Sequence, residues 1–562
     1  MPDTLTPLPR QVADAYVDAL ISLDPITGSY LGVKESAGRL PDFTPAGQEA
    51  VAELARRTLA ALDEAERRPG ADSDAERRCG RLLRERLNAE LAVHEAQEGL
   101  CAVSNMRSPA HAARIVFTVM ATDTAEDWTA VAQRLRAVPQ ALEGYRASLE
   151  LGLERGLFGG PRPTATFIEQ LTEWTGADGT RTNWFEDFVA PGPESLRTEL
   201  DKAARIACEA YASLRDWMRE VYAPAVAGAP DTVGRERYRR WSRYFNGTDL
   251  DLDEAYAYGW SEYHRLIGEM RAEADRVLPG SDPWRALAHL DEHGTRIHGV
   301  EEVRVWLQEL MDGAIEALDG THFELAERVK VVESRIAPPG GAAAPYYTGP
   351  SEDFSRPGRT WLPVGEETSF PVYDLVSTWY HEGVPGHHLQ LAQWAHVADR
   401  LSRYQATIGG VSANLEGWAL YAERLMDELG FLPDAERRLG YLDSQMMRAC
   451  RVIIDIGMHL GLTIPDDSPF HPGEVWTPAL AQEFFQRHSS RPADFIESEL
   501  TRYLSMPGQA IGYKLGERAW LLGREKAAAA HGDAFDAKAW HMAALSQGPL
   551  GLDDLVEELA RL

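Results

Sequence analysis

The segment STWYHEGVPGHHLQLAQW, residues 377–394, concentrates side chains that bind metals and transfer protons. His381 is followed directly by Glu382, as in the H-E-x-x-H motif, in which two histidines four residues apart bind zinc from one face of a helix. Position 385, where the second histidine of that motif would stand, holds proline, and two histidines follow shortly after it. The segment therefore poses a choice between a zinc site with altered spacing and a helix junction rich in histidine.

Pro385 and Gly386 predict a break in the helix that carries His381. Proline has no N–H and clashes with the carbonyl group four residues back, and glycine adopts dihedral angles that other residues avoid. Removing the two residues leaves H-E-G-V-H, with His387 as second ligand. In an unbroken helix His388 would share the face of His381, but about 10 Å along the axis. We predict that His381 and His387 bind the metal, with His388 as the alternative to His387.

The helix predicted for GGVSANLEGWALYAERLMDELG, residues 409–430, offers a third ligand. A catalytic zinc needs three protein ligands and an open position. Glu416 lies among apolar residues with no cation three or four positions away, so its burial requires another compensating charge, which a metal would supply. Gly417 beside it would let a backbone or a ligand approach closely. The alternatives are a solvent-facing Glu416, or Glu423, which occupies a more polar run typical of a helix surface.

Hydrolysis of an amide also needs a base for the attacking water and a donor for the developing oxyanion. Glu382, next to the first ligand, is the candidate base. Asp455 and His459 are four residues apart on one helix face, so the carboxylate could fix the tautomer of the imidazole, and His459 could donate to substrate. An equally good interpretation is a core histidine satisfied by its neighbour.

Two tyrosines and two arginines complete the candidate site. Tyr503 and Tyr513 flank LSMPGQAIG, and a phenol from this segment would suit the oxyanion. We choose Tyr513 for that role and assign Tyr503 to substrate binding. Arg356 and Arg502 could hold a substrate carboxylate through two hydrogen bonds, although most arginines pair or are solvated at the surface.

Composition excludes some partners. The chain of 562 residues has 57 Lys and Arg against 87 Asp and Glu, a formal charge of −30. Nucleic acids and anionic membranes bind basic surfaces, so neither is expected as a partner. The four cysteines form no C-x-x-C pair, and the N-terminus shows no basic segment followed by an apolar one. These features predict reduced thiols and a cytoplasmic location.

Helical periodicity predicts a mainly α fold. Extended structure is scarce, and the best strand candidates, 328–338 and 358–364, indicate a small β-sheet near the active site. The proline- and glycine-rich stretch YAPAVAGAPD separates a helical N-terminal half, residues 1–231, from a catalytic half, residues 232–562. We expect the first half to form a wall or lid of a deep cleft that admits short substrates.

YHEGVPGHHLQ followed by LEGWALYAE resembles the bacterial domain-of-unknown-function 885 family, a group similar to gluzincin metallopeptidases. YYTGPSEDFSRPGRTWL, RVIIDIGMH and TRYLSMPGQAIGYKLG fit the same pattern, so the resemblance covers nearly the whole chain. It implies a large, mainly helical, metallopeptidase-like fold with a zinc hydrolase site. It implies no particular substrate.

Together these features predict one Zn²⁺ bound by His381, His387 and Glu416. The expected activity is hydrolysis of peptide or peptide-like amide bonds by a metal-activated water, with Glu382 as general base, acting on a short peptide or an amino-acid-derived small molecule. Two alternatives stay open: a metal-dependent biosynthetic enzyme that acts on an amino-acid derivative, and a catalytically silent helical binding protein.

Overall fold

Apolar residues at helical spacing predict helices through most of the chain, and the computed structural model contains them; it describes residues 7–179, 183–337 and 344–562. The prediction of a mainly α fold is confirmed. The α-helices of the described residues are α1 (Pro9–Leu23), α2 (Pro25–Tyr30), α3 (Pro45–Ala65), α4 (Asp74–Glu95), α5 (Pro109–Ile115), α6 (Ala125–Glu154), α7 (Pro161–Trp174), α8 (Trp184–Val189), α9 (Arg197–Trp217), α10 (Ala223–Val226), α11 (Gly234–Asn246), α12 (Leu252–Val277), α13 (Pro283–His293), α14 (Val300–Leu318), α15 (Val372–Glu382), α16 (His387–His396), α17 (Arg403–Ala406), α18 (Ser412–Glu428), α19 (Ala435–Leu460), α20 (Pro478–Arg487), α21 (Ala493–Ser505), α22 (Gly512–His531), α23 (Ala537–Ser546) and α24 (Leu552–Leu559).

Within the described residues, five short strands form two small sheets. They are β1 (Arg296–His298), β2 (Val332–Ile336), β3 (Tyr346–Thr348), β4 (Gly358–Leu362) and β5 (Ser369–Pro371). β1 pairs antiparallel with β5, while β4 lies between a parallel β2 and an antiparallel β3. The predicted strands at 328–338 and 358–364 correspond to β2 and β4, and position 338 lies outside the described residues.

The chain divides into two compact units that are interleaved in sequence. The first unit comprises Met1–Ala71, Arg86–Arg240 and Glu497–Pro507, and the second comprises Asp72–Glu85, Trp241–Ile496 and Gly508–Leu562. The proline- and glycine-rich stretch predicts a single boundary between residues 231 and 232. In the structure Asp72–Glu85 belongs to the second unit and Glu497–Pro507 to the first. Segments that fold into a unit from a distant part of the chain leave no local signal in composition, which is why they are absent from the predicted division.

The first unit is built around an apolar core. In α6 the buried residues recur every three or four positions, among them Val131, Leu135, Val138 and Leu142, so that one stripe of the helix faces inward. α6 packs against α9, which buries a similar stripe. Aromatic side chains from α7 and α8 complete this core.

The second unit is organised around α19. Every residue from Leu439 to His459 is buried, including charged ones, because α12, α15, α20 and α22 pack against different sides of the helix. A helix buried on all faces has no amphipathic stripe, and its charged side chains must find partners inside the protein. α19 therefore brings ionisable side chains into the interior of the unit that carries the histidine segment.

Two glycines set the separation of α18 and α22. A Cβ atom on Gly417 would lie 2.4 Å from the Cα of Gly516, and one on Gly516 would lie 2.0 Å from the carbonyl oxygen of Ala413. Only glycine fits at such a contact between two helix backbones. This contact brings Tyr513, one turn before Gly516, close to the helix that carries Glu416.

No helix within the described residues has both the length and the apolarity required to cross a bilayer. The four cysteines all lie within the described residues and form no disulfide, and Cys79, Cys101 and Cys450 are buried.

Candidate metal centre

The predicted interruption of the histidine helix is present, as a turn between two helices. α15 ends at Glu382, and α16 begins at His387. Within the turn, the N–H of Gly386 donates to the carbonyl oxygen of Tyr380 (3.0 Å). A Cβ atom on Gly386 would lie only 1.9 Å from the carbonyl oxygen of His381, so no other residue fits there. The turn thus returns the chain to the end of α15 and places His387 beside His381.

Trp418 fixes this turn from α18. Its indole N–H points at the carbonyl oxygens of Pro385 (2.9 Å) and Gly386 (3.1 Å), and its side chain is fully buried. Because Trp418 lies two residues after Glu416, the contact also fixes the third predicted ligand relative to the two histidines.

His381, His387 and Glu416 converge as predicted. Their candidate ligand atoms all lie within 4.8 Å of one another, and Nε2 of each histidine is 3.5 Å from Oε2 of Glu416. The edge of a tetrahedron with metal–ligand bonds of about 2.1 Å is roughly 3.4 Å. Two neutral nitrogen ligands and one carboxylate oxygen are also a donor set typical of catalytic zinc. The residues present therefore fit Zn²⁺.

His388 faces away from these three residues. Its Nδ1 is 2.9 Å from the hydroxyl of Tyr347, and its Nε2 is 2.7 Å from the carbonyl oxygen of Val329. Burial lowers the pKa of His388 to about 4, so it is neutral at physiological pH. It connects α16 to β3 and to the segment before β2, and His387 is the histidine of the pair that joins the candidate metal ligands.

Glu423 is a buried partner of His381, and its assignment to a helix surface is wrong. Its side chain is inaccessible, and its Oε1 is 2.7 Å from Nδ1 of His381. Glu423 follows Glu416 by seven residues, two helical turns, so both carboxylates point to the same side of α18. A carboxylate on the second nitrogen of a ligating histidine fixes the tautomer that leaves Nε2 free for a metal.

The carboxylates around His381 and His387 make the centre attractive to a cation. Burial opposes the charged form of His381, but hydrogen bonds to Glu416 and Glu423 outweigh it and raise the pKa of His381 to about 9. Burial likewise opposes ionisation of Glu416, yet its contacts with His381 and His387 hold the pKa of this carboxyl well below its usual value. A metal bound by the same atoms would displace the proton from His381.

Glu382 is the unusual carboxylate of the centre. It is 8% exposed, and within the described residues it forms no hydrogen bond or ion pair. Burial raises the pKa of its carboxyl group, an effect that the neighbouring His381, His387 and Arg448 partly offset and that Glu416 reinforces. The oxygens of Glu382 are not among the inaccessible polar atoms that lack a partner, so water or another molecule can reach this carboxylate.

Tyr513 lies against the first ligand. Its ring is nearly parallel to the ring of His381, with centroids 6.5 Å apart. The guanidinium group of Arg451 lies 4.7 Å from the centre of the Tyr513 ring. The structure thus brings the predicted oxyanion donor to the metal centre, together with a cation that the sequence analysis did not assign.

His459 is buried beside Asp455, and its catalytic assignment stays a prediction. The side chains of Asp455 and His459 have no accessible surface, and Oδ1 of Asp455 is 3.5 Å from Nε2 of His459. The other oxygen, Oδ2, accepts the N–H of Gly508 (2.9 Å), at the turn that leads into α22. Asp455 therefore helps to position the segment that carries Tyr513.

The three predicted substrate-binding residues lie in different surroundings. Arg356 is exposed in the loop before β4, where its guanidinium group reaches the carbonyl oxygen of Pro357. Arg502 and Tyr503 belong to the first unit, and both donate to Oε2 of Glu499, at 2.7 Å each. Their assignment to substrate stays a prediction.

Comparison with solved structures shows the fold. The chain is similar to "the putative lipoprotein from Colwellia psychrerythraea", with a TM-score of 0.82 at 20% identity, covering 98% of both chains. It is also similar to "a putative lipoprotein of unknown function from Shewanella oneidensis", with a TM-score of 0.73 at 18% identity, covering 98% of this chain and 99% of the other. A comparison with curated proteins finds no match.

These similarities correct the predicted location. Both solved structures are described as lipoproteins, which contradicts the cytoplasmic location expected from the N-terminus and the cysteines. The cytoplasmic prediction is therefore withdrawn.

A family model described as "Bacterial protein of unknown function (DUF885)" matches residues 25–559. The resemblance drawn from the histidine segment is thus confirmed: the chain belongs to this family.

Proposed function

We propose that this member of the DUF885 family is a zinc-dependent hydrolase of peptide or peptide-like amide bonds. His381, His387 and Glu416 would hold Zn²⁺, and Glu382 would be the general base. The observation that carries the proposal is the state of Glu382: a buried carboxylate without a hydrogen bond or ion pair among the described residues, next to three groups that fit a catalytic zinc.

The chemistry divides between the metal and the chain. Zinc, when bound, supplies a Lewis acid that makes water more acidic and polarises a carbonyl group. Glu382 accepts the proton of the water whose oxygen attacks the amide carbon, and then transfers it to the amine nitrogen as the C–N bond breaks. Burial raises the pKa of Glu382, which is the direction that favours a group that both accepts and returns a proton. Tyr513 would donate a hydrogen bond to the amide oxygen as its negative charge develops.

The glutamate and the tyrosine are held by different elements. Glu382 ends α15, whereas Tyr513 lies on α22, whose distance from the ligand helix α18 is set by Gly417 and Gly516. A base and an oxyanion donor on separate rigid helices can face a substrate from two sides. Three protein groups come together here, whereas all four ligands of a structural zinc are protein groups. The centre therefore supports hydrolysis rather than a structural role for the metal.

A substrate panel tests the proposal. The protein is purified without chelators, its zinc content is measured, and dipeptides and peptides with blocked N- or C-termini are incubated with it and analysed by mass spectrometry. A folded protein is included because the sequence analysis predicts a restriction to short substrates. We expect cleavage of at least one peptide class, and loss of that cleavage after chelation.

Three outcomes would contradict parts of the proposal. Protein that contains no zinc and cannot be reconstituted removes the metal centre. Zinc binding without turnover of any amide favours the biosynthetic or the silent interpretation. Turnover that is insensitive to chelators assigns the activity to other residues.

A further inference from the structure

Four donor groups surround the carboxylate of Glu423, and they come from α15 and α19. Oε1 faces Nδ1 of His381 at 2.7 Å and Nη2 of Arg448 at 3.4 Å. Oε2 accepts the hydroxyl of Ser377 at 2.6 Å and the amide N–H of Gln445 at 3.4 Å. A carboxylate has about four acceptor sites, so the surroundings of Glu423 use all of them. Its orientation is fixed by the whole set and not by His381 alone.

Gln445 lies between an anion and a cation. Its Nε2 faces Oε2 of Glu423, while its Oε1 accepts the ammonium group of Lys514 at 3.0 Å. A carboxylate only accepts hydrogen bonds and an ammonium group only donates them, so one orientation of the amide satisfies both neighbours. Rotating the amide by half a turn would place oxygen against oxygen and nitrogen against nitrogen. Gln445 is itself fully buried.

Lys514 is fixed on its other side by carboxylates. Its side chain has no accessible surface, and its ammonium group contacts Glu517 and also Oε2 of Glu262, at 2.9 Å. With Gln445 these contacts use the three donors of the ammonium group. Glu262 is held in turn by two hydrogen bonds from Arg265, at 2.9 and 2.8 Å. Lys514 therefore has one position, and Gln445 is oriented by it.

We propose that Gln445 and Lys514 are positioning residues of the metal centre. They hold Oε2 of Glu423, so that Oε1 stays on Nδ1 of His381 and Nε2 of His381 stays directed at Glu416 and His387. The chain of contacts runs from α22 through α19 and α18 to α15. The inference rests on the metal site of the proposed function, but it does not depend on hydrolysis.

The competing explanation is that these residues only satisfy one another in the interior. Buried polar groups need partners whether or not they serve a site, and a purely structural network affects folding alone. A positioning network also affects the affinity for the metal, because groups that orient a ligating histidine typically change metal affinity or activity about 10–100-fold. The zinc affinity of the folded variants therefore distinguishes the two explanations.

Gln445→Met is the variant that tests the inference. Methionine has a similar length and volume, but it donates no hydrogen bond and accepts only weakly, so both contacts of the amide are lost. We expect zinc affinity, measured by competition with a chromophoric chelator, to fall about tenfold, the lower end for residues around a ligand. The full-length protein is used, and circular dichroism verifies its fold. Lys514→Met is less suitable because it also removes the buried cation that contacts Glu262 and Glu517.

Gln393→Met is the matched control. Gln393 is a buried glutamine of the same unit whose amide donates to Ser546 Oγ at 2.9 Å, on α23. It is removed from the contacts of Glu423. We expect this variant to lose stability comparable to that of Gln445→Met and to bind zinc as the wild type does.

A double variant tests the route through Glu423. Ser377 and Gln445 donate to the same oxygen, so the effects of Ser377→Ala and Gln445→Met on zinc affinity should not simply multiply. We expect the measured effect of the double variant to depart from the product of the single effects by at least about threefold. Effects that multiply would overturn this route.

The remaining outcomes separate the two proposals. Wild-type zinc affinity in folded Gln445→Met overturns the positioning role and leaves the proposed function intact. Equal losses of affinity in Gln445→Met and Gln393→Met also overturn it, since they reflect general loosening of the unit. A wild-type protein that binds no zinc removes the proposed function, and this inference with it.

Discussion

The central helices of the two units, α6 and α19, differ in the side chains that they bury. In the first unit α6 buries one stripe, mostly apolar, and exposes the rest. In the second unit α19 is buried on all sides from Leu439 to His459 and carries Asp443, Arg448, Arg451 and Asp455 into the interior. Burying charges is costly unless they are paired, so a protein gains no stability from them that apolar residues could not provide. The difference indicates that α6 serves mainly packing in the first unit, whereas α19 serves to place charge in the second.

Phe167→Ala should show the largest effect, and only on stability. Phe167 is fully buried in the first unit, in contact with His111, Tyr145 and Trp174. The cavity should lower the free energy of unfolding by about 3–5 kcal/mol. Denaturant unfolding measures this change, and zinc affinity is expected to stay at the wild-type value. A parallel loss of zinc affinity would contradict the division of roles between the units.

Glu382→Gln should lower activity and leave stability unchanged. The amide keeps the size of the side chain but cannot accept a proton, so hydrolysis should fall at least about 100-fold while zinc content and unfolding temperature are retained. The measurement is kcat/KM on whichever peptide the panel identifies. Glu273→Gln is the matched control, since Glu273 is also buried in the second unit but paired with Arg276 and Arg438. Equal activity of the two variants would assign the base role elsewhere.

Glu423→Gln should weaken the metal centre without removing a ligand. The neutral amide loses the charge that faces His381 and Arg448, and zinc affinity should fall about 10–100-fold in a chelator competition. Asp443→Asn changes another inaccessible carboxylate of the second unit, which accepts from Ser490. It is expected to leave zinc affinity unchanged. If both variants bind zinc as tightly as the wild type, Glu423 has no role in orienting the ligand.

His111→Gln should have the smallest effect, which is a change in the pH dependence of stability. Burial lowers the pKa of His111 to about 4, below its value of about 6.5 in an unfolded chain. The unfolded state therefore binds the proton first, and stability falls as the pH falls from 6.5 towards 4. Between pH 6.5 and 5.5 the loss is about 1 kcal/mol, and His111→Gln should abolish that part of the pH dependence. Unfolding is measured at both pH values, with the exposed His293→Gln as control. An unchanged pH dependence would show that His111 is not responsible.

The grouping of the candidate metal-binding residues could be predicted from the sequence because their signals are local. His381, Glu382 and His387 fall within one short segment. Pro385 and Gly386 predict the helix break at which the two histidines come together. Glu416 is a carboxylate in an apolar stretch of sequence, which indicates burial and a compensating charge. The mainly α fold followed from helical periodicity in the same way.

The residues that contact the candidate ligands from the protein interior could not be predicted, because their contacts join distant parts of the chain. Gln445 and Lys514 are 69 residues apart and lie on helices whose packing no local pattern reveals. Glu423 was assigned to the surface because its neighbours in sequence are polar, although two helical turns from Glu416 is a spacing that returns to the same face. That periodic relation was the one available signal for it.

The turn between α15 and α16 has a consequence for resistance to heat. In an uninterrupted H-E-x-x-H helix both histidines belong to one rigid rod, whereas here the three candidate ligands are distributed over α15, α16 and α18. Zinc would therefore act as a cross-link between separate helices, and its binding energy would oppose their separation. The unfolding temperature should rise with zinc concentration and fall on chelation. In this chain, the availability of zinc would determine thermal stability as well as activity.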